Sequence, residues 1–194
     1  MRADLIIHRI QDTLGISDLV WTDAPQGDPF LVVPAEKLRE IAGFLKEDPP
    51  CAFDTLMSLS GVHQLTEPEQ LEVVYHLYSL RHRHRLVVKV RLDRPLALSH
   101  FYLRVDSVSG IWPGAGWLER EVYDMFGVHF AGHQDFRRLL LPPDWQGYPL
   151  LKDYQEPQAY RSISTVREKP AASEVAPDDP RISANVPERS AGKS

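Results

Sequence analysis

The sequence predicts an α+β domain, a mainly antiparallel sheet with helices packed on one face, followed by an extended C-terminal tail. The first reason is the order of the patterns, which run α-β-α-β-β-β-β-α instead of alternating regularly. The second is a change of composition after Tyr154, where the last 40 residues hold five prolines and no Trp or Phe. We therefore expect a domain over residues 1–154 and a Pro-rich tail over residues 155–194.

Two helices are predicted in the first 50 residues. The first covers Asp4–Leu14, where Gly15 is a natural end and apolar residues recur near helical spacing. A short strand follows at Pro29–Val33. The second helix opens at Pro34 and ends before Pro49, with its apolar stripe at i, i+3, i+4 and i+7: Leu38, Ile41, Ala42 and Leu45.

Four further strands are predicted from runs rich in Val, Tyr and Leu: Phe53–Val62, Leu71–Leu80, Arg85–Leu92 and Tyr102–Val108. The third of these alternates apolar and polar residues and turns one apolar face to the core. The run RHRHR before it indicates a hairpin turn.

A charged helix is predicted over Trp117–Phe126, with Gly127 as its left-handed end. Its carboxylates Glu121 and Asp124 lie about one turn apart, a spacing compatible with acid–base work. No nucleophile, His base or set of oxyanion donors accompanies them. We expect them instead to anchor the loop at Arg137 and Arg138 by charge-assisted hydrogen bonds. Within the helix, Arg120 is expected to reach Asp124 at i+4.

Two other patterns suggest cofactor sites only weakly. His129 and His133 are four residues apart, but they lie in a segment of strand and turn, where that spacing separates them by about 13 Å. Gly114-Ala115-Gly116 precedes a helix as in a dinucleotide turn, yet Glu119 stands where the third glycine belongs. We expect ordinary hydrogen-bonding histidines and a tight turn, and neither a metal nor a cofactor on this chain.

Composition excludes further classes. The net charge of −5 favours neither a nucleic-acid binder nor an acidic tail protein, and a single cysteine, Cys51, cannot supply a disulfide or an all-cysteine cluster. No run of 18 apolar residues and no signal peptide is evident, so a soluble protein in a reducing compartment is expected. Between Arg81 and Arg104 lie seven basic residues and one acid. This stretch is interpreted as a solvated or partner-facing strand face, with RNA binding as the alternative.

The loop after the charged helix joins Arg137 and Arg138 to an apolar run, a Pro-Pro break, Trp145 and a return at Lys152-Asp153-Tyr154. Trp and Arg are residue types that anchor protein interfaces. The same residues could serve the interior of the domain. We expect at least some of them to face a partner.

The stretch as a whole resembles a known family, the hydrophilic C subunit of proton-pumping NADH:quinone oxidoreductase, respiratory complex I. The resemblance lies in EREVYDMFGVHFAGH, DFRRLLLPPDW and GYPLLKDY, and upstream in FLKEDPP and FDTLMSLSGV, so it runs from about Phe44 to Tyr154. The chain departs from the family pattern at Gln134, and also at Leu151, where the family carries a positive charge that contacts a partner.

The resemblance implies a non-catalytic structural subunit of the peripheral arm. Electrons would pass from NADH through FMN and Fe–S clusters to a quinone in partner subunits, chiefly the D subunit, which forms the quinone site, and the Fe–S-carrying B and I subunits. The location implied is the cytoplasmic side of the bacterial inner membrane, with Gln155–Arg167 docked on a neighbour. The structural or interface residues expected are Glu119, Glu121, Asp124, Arg137, Arg138, Trp145, Lys152, Asp153 and Tyr154. A ferredoxin-linked dehydrogenase or a membrane-bound hydrogenase with an equivalent subunit is the alternative.

Overall fold

The computed structural model describes residues 3–24, 27–66, 68–94 and 103–165. They fall into two compact units, the first ending at Gln155 and the second beginning at Glu156. The helices of the first unit are α1 (Ala3–Leu14), α2 (Leu38–Glu47, preceded by a 3-10 turn at Ala35–Lys37) and α3 (Ala115–Phe126). Its strands are β1 (Val20–Thr22), β2 (Phe30–Val32), β3 (Thr55–Gln64), β4 (Gln70–Ser79), β5 (His84–Asp93), β6 (Arg104–Asp106) and β7 (His129–Ala131).

Five strands form the main sheet in the order β1-β2-β5-β4-β3. β3, β4 and β5 are an antiparallel meander, β1 pairs antiparallel with β2, and β2 runs parallel to β5. A separate parallel pair joins β6 to β7. The prediction of a mainly antiparallel sheet in an α+β domain is confirmed, although β1 and the two parallel pairings were not expected from the sequence.

The alternation of the strands divides the sheet into an inner face and an outer face. The predicted apolar face of β5 is confirmed, since Leu86, Val88, Val90 and Leu92 are buried. Through the register these residues line up with odd-numbered residues of β4 and, beyond the bulge, of β3; before the bulge Leu77 pairs with Leu56. The inner face therefore consists of Leu56, Leu59, Gly61, His63, Leu71, Val73, Tyr75, Leu77, Leu86, Val88, Val90 and Leu92.

The helices pack on this inner face, as predicted. The predicted apolar stripe of α2 is buried and, with Trp112, meets Tyr75, Leu77 and Val88. Helix α3 lies close over β3, because Gly61 has no side chain and the ring of Phe126 fills the space of its absent Cβ. Helix α1 adds Ile6 and Ile10 to the same core.

Two predicted boundaries were wrong. The strand expected over Tyr102–Val108 is only the three residues of β6, and Tyr102 lies outside the described residues. The helix expected from Trp117 begins at Ala115, because the turn at Trp112 and Pro113 already bonds the amides of Ala115 and Gly116. These short-range turn bonds leave no mark in the apolar periodicity.

The second unit is described as far as Thr165. It contains a small hairpin of β8 (Ala159–Tyr160) and β9 (Ile163–Ser164), turning at two residues with positive φ. This hairpin was not predicted from the sequence. The remainder of the predicted tail lies outside the described residues, as does part of the expected docking segment. Among the helices of the described residues, none combines the length and apolar character needed to cross a bilayer.

Candidate functional site

Asp124, on the flank of α3, is the centre of the site. Its carboxylate is fully buried and accepts three consecutive amide hydrogens through Oδ2, from Leu139 (3.0 Å), Leu140 (2.6 Å) and Leu141 (2.8 Å). Oδ1 accepts from Nη1 of Arg138 at 2.7 Å. Burial alone raises the pKa of Asp124, but these four donors outweigh it and hold the pKa below its ordinary value.

Arg138 extends the same bonding to the far side of the loop. Its Nη2 donates to the carbonyl oxygens of Trp145 and Gly147, each at 3.2 Å. Its guanidinium lies 5.3 Å from the ring centre of Tyr148, a cation–π arrangement. The loop around Pro142-Pro143 is therefore fastened at both ends to one buried charge. We call Asp124, Arg138 and the amides and carbonyls that they bind the α3 clamp.

Arg120 does not reach Asp124, so that prediction was wrong. It donates instead to the carbonyl oxygens of Arg137 (3.1 Å) and Arg138 (3.3 Å) and lies 3.5 Å from a carboxylate oxygen of Asp135. The oxygens of Asp124 are already occupied by the loop amides and Arg138. In place of the predicted ion pair with Asp124, Arg120 thus forms two hydrogen bonds that hold the same loop.

Two of the expected site residues lie outside the clamp. Glu121 is exposed and makes no hydrogen bond or ion pair with any residue that the structure describes. Arg137 pairs with Asp135 at 2.9 Å, with both side chains more than half exposed. The structure thus separates the expected group of Glu121, Asp124, Arg137 and Arg138 into one buried pair and two surface residues.

Glu119 fastens α3 to the segment that follows β6. Its carboxylate accepts from the hydroxyl of Ser107 (2.6 Å) and the amide of Val108 (2.7 Å), and the side chain is fully buried. Burial raises the pKa of Glu119, against the opposing effect of these two hydrogen bonds. A carboxylate in the place of a third glycine is thus an internal fastener, and its two oxygens are already engaged.

The end of the loop is held by a second set of contacts, which we call the His63 latch. His63 is buried, accepts the amide hydrogen of Lys152 through Nδ1 (2.9 Å), and contacts the carboxylate of Glu69 through Nε2. Arg94 bridges the carboxylates of Glu69 (2.5 Å) and Asp153 (2.9 Å). Lys152 therefore takes part in the His63 latch through its backbone amide, while Asp153 takes part through its side-chain carboxylate.

Trp145 and Tyr154 close the loop on itself. Nε1 of Trp145 donates to the hydroxyl of Tyr154 at 3.0 Å, and both side chains are half-buried. Leu151, the position at which the chain departs from the family pattern, is buried among core residues. Its apolar side chain thus packs within the domain, where a positively charged side chain would be buried.

Sequence reasoning missed His63, Glu69 and Arg94. The bond from Lys152 to His63 spans 89 residues, and the pair of Arg94 with Asp153 spans 59. No local motif marks such contacts. The only available signals were an isolated histidine and an isolated arginine at the ends of predicted strands.

His63, Glu69 and Asp153 place possible metal-ligand atoms within 4.8 Å of one another. Arg94 lies on both carboxylates, however, and both ring nitrogens of His63 are engaged. With Arg94 these residues form a network of ion pairs and hydrogen bonds, which suits a latch better than a cation site.

His133 and the basic strand take ordinary roles. His133 bonds the carbonyl of Gly116 and the amide of Asp135 around a turn, at 2.9 and 3.1 Å. In the basic stretch, Lys89 and Arg91 both pair with the buried Glu72, and Arg85 pairs with Asp28. Those cations are largely neutralised within the domain, which does not favour a phosphate backbone as their partner.

Comparison with known proteins agrees with this architecture. Residues 31–160 match the family model of the respiratory-chain NADH dehydrogenase 30 Kd subunit. Proteins named as the C subunit of NADH-quinone oxidoreductase are similar: that of Roseiflexus sp. strain RS-1 is 42% identical over 66% of this chain and 70% of its own. The one from Roseiflexus castenholzii is 41% identical over 76% of this chain and 81% of its own.

A solved structure shares the fold as well. A chain of the membrane-bound sulfane sulfur reductase, an archaeal respiratory membrane complex, superposes with a TM-score of 0.63 at 25% identity. The match covers 80% of this chain and 86% of that one. With the family model covering well over half of the residues, the chain belongs to the family of the respiratory-chain NADH dehydrogenase 30 Kd subunit.

Proposed function

We propose that this peripheral-arm subunit of a complex I-type enzyme is a non-catalytic scaffold that keeps neighbouring subunits docked at fixed spacing. The whole enzyme would transfer electrons from NADH through FMN and Fe–S clusters to a quinone, coupled to proton translocation. The D, B and I subunits would be the chief neighbours. The chain would lie on the cytoplasmic side of the bacterial inner membrane and reach it through those neighbours.

The observation that carries the proposal is the α3 clamp. It holds the loop over residues 137–154 in one shape through a buried charge with four donors. That loop in turn presents Leu140 and Leu150, 63% and 54% exposed, and α3 presents Trp117, which is 63% exposed. Large apolar and aromatic side chains held on a fixed loop are the typical core of a protein interface.

The chemistry of the clamp and of Glu119 supports a structural role. The side chains of Asp124, Glu119 and Arg138 form hydrogen bonds to other groups of the same chain. A general base or nucleophile needs a free group within reach of a substrate. We expect the purified chain to bind no flavin, NADH or iron. A stoichiometric flavin or iron absorbance from the chain alone would contradict the proposal.

The decisive experiment compares three variants in cells that depend on the complex. Leu140→Glu changes the presented surface and removes no group of the clamp. Arg138→Ala removes the arginine half of the clamp, and Leu5→Glu is the control at a similarly exposed leucine of α1 (52%). We expect the first two to reduce the amount of assembled complex, while NADH:quinone turnover per assembled complex stays near the parent value. A variant that assembles fully but loses turnover would show a direct role in the reaction.

The likeness to a sulfane sulfur reductase chain supports a second candidate, a related respiratory membrane complex with another electron donor or acceptor. The relatives near 40% identity favour NADH and quinone. Oxidation of NADH by the purified complex separates the two. A complex that contains this chain and does not oxidise NADH would favour the second.

A further inference from the structure

Strand β3 is an open edge of the main sheet. It stands last in the order β1-β2-β5-β4-β3, so within the described residues only its β4 side is paired. The opposite edge, β1, has three residues, whereas β3 has ten. A long unpaired edge exposes a row of N–H and C=O groups that can accept another strand.

The register shows which of these groups face outward. The amide of Val33 donates to the carbonyl of Lys89 at 3.0 Å, so odd-numbered residues of β5 point towards β2 and even-numbered ones towards β4. The pairings of β4 with β5 and with β3 carry this alternation across the sheet. The backbone groups of the even-numbered residues from Ser58 to Gln64 in β3 therefore bond to β4. The backbone groups of Leu59, Gly61 and His63 therefore point away from the sheet.

Those outward groups have no hydrogen-bond partner in the part of the chain that the structure describes. Proteins commonly guard such an edge with a bulge, a proline or a charged side chain. Here a bulge lies between Leu56 and Ser58, but the pairing beyond it is unbroken as far as Gln64. The run from Ser58 to Gln64 contains no Lys, Arg, Asp, Glu or Pro. This whole run thus carries neither a charged residue nor a proline to guard it.

We propose that an extended segment of another subunit of the complex adds to this edge as a strand and bonds to Leu59, Gly61 and His63. N–H and C=O groups that point outward at every second residue can form main-chain hydrogen bonds with another extended strand. The partner should therefore be an extended peptide segment. The side chains beside them are uncharged, and Val62 (40% exposed) and Met57 (63% exposed) flank the pairing. The segment should accordingly be uncharged and free of proline where it pairs.

This inference rests on the proposed function, because it needs the chain to be held in a multi-subunit enzyme. The relatives are named as one lettered subunit of an oxidoreductase, which favours a different chain over a second copy as the occupant. Self-association of the free chain through β3 would contradict the proposal. That outcome would appear in sedimentation as a dimer that Val62→Lys abolishes.

Hydrogen exchange at single amides tests the pairing. The intact complex and the free chain are exchanged in D2O, quenched, and compared at Leu59, Gly61 and His63. We expect these three amides to exchange at least about tenfold more slowly in the complex, a factor that corresponds to about 1.4 kcal/mol. Ser60 and Val62, which bond to β4, should be protected in both states. Equal exchange of the three outward amides in both states would overturn the inference.

A matched pair of variants supplies the second measurement. Val62→Lys places a guarding charge beside the edge, and Leu80→Lys adds the same charge at an exposed leucine (66%) outside it. We expect only Val62→Lys to lower incorporation into the complex, with both free chains melting like the parent. Normal incorporation of Val62→Lys would contradict the strand addition while leaving the scaffold role intact. Absence of the parent chain from any respiratory complex would instead refute the proposed function.

Discussion

Replacing Arg138 by alanine should destabilise the free chain far more than the same change at the adjacent Arg137. The side chain of Arg138 is 13% exposed and its partner Asp124 is fully buried, whereas Arg137 and Asp135 are 72% and 59% exposed. Breaking a buried pair leaves a charge without its counter-ion and costs about 3–5 kcal/mol. The low end applies here, since three amides still hold Asp124. An exposed pair contributes about 0–1 kcal/mol.

Thermal unfolding of the purified chain measures the difference. For a chain of this size each kcal/mol lowers the Tm by roughly 2–4 °C, so Arg138→Ala should lower it by roughly 6–12 °C. Arg137→Ala should lower it by no more than about 4 °C. Asp124→Ala and the double variant complete a thermodynamic cycle, in which contacting residues couple by about 0.5–3 kcal/mol.

Two results would refute this reasoning. Equal Tm losses in Arg137→Ala and Arg138→Ala would mean that solvent reaches the clamp and screens its charge. Strict additivity of Asp124→Ala and Arg138→Ala would mean that the two side chains do not stabilise each other, whatever their distance.

Three further predictions concern the helix-to-sheet contact. Because burial raises the pKa of Glu119, the stability that this group contributes is greatest below its ordinary pKa of 4.5 and is lost as the pH rises through the raised pKa. The free energy of unfolding of Glu119→Gln, measured by urea denaturation, should therefore increase relative to that of the parent between acid and neutral pH. Gly61→Ala should cost about 1–3 kcal/mol, because its Cβ would lie 2.5 Å from the Phe126 ring, while Gly43→Ala on open α2 should not destabilise. Tyr75→Phe should leave the Tm unchanged or raised, because the buried hydroxyl of Tyr75 has no described partner.

The sheet could be predicted from the sequence because its signal is local. The alternation in β5 and the i, i+3, i+4, i+7 stripe of α2 depend only on which side faces the core. Strand β1 could not be predicted, since its residues Val20–Thr22 form neither a period nor the apolar run that marked β2, and its pairing with β2 crosses a loop. The parallel pairing of β2 with β5 depends on a partner about 57 residues away, far beyond any local pattern.

The site was predictable only in part, for a related reason. Asp124 and Arg138 were identified because a charged helix and a double arginine stand close in sequence and match in charge. Glu121 and Arg137 carry the same charges in the same pattern but lie on the outward sides of the helix and loop. Residue type and spacing do not distinguish a buried charge from an exposed one. That distinction depends on which side of α3 and of the loop packs against the rest of the domain.

The α3 clamp gives the loop a fixed shape that apolar packing alone would not give. An apolar pair of similar volume is often as stable as a buried ion pair, so stability alone does not explain a charge at this position. Hydrogen bonds differ in having direction: Asp124 aligns three successive amides, and Arg138 spaces two carbonyl oxygens across the loop. Electron transfer between subunits depends on the distance between their cofactors. Under the proposed function this subunit would hold such partners, a role that needs a rigid surface more than a stable core, and the clamp would provide that surface.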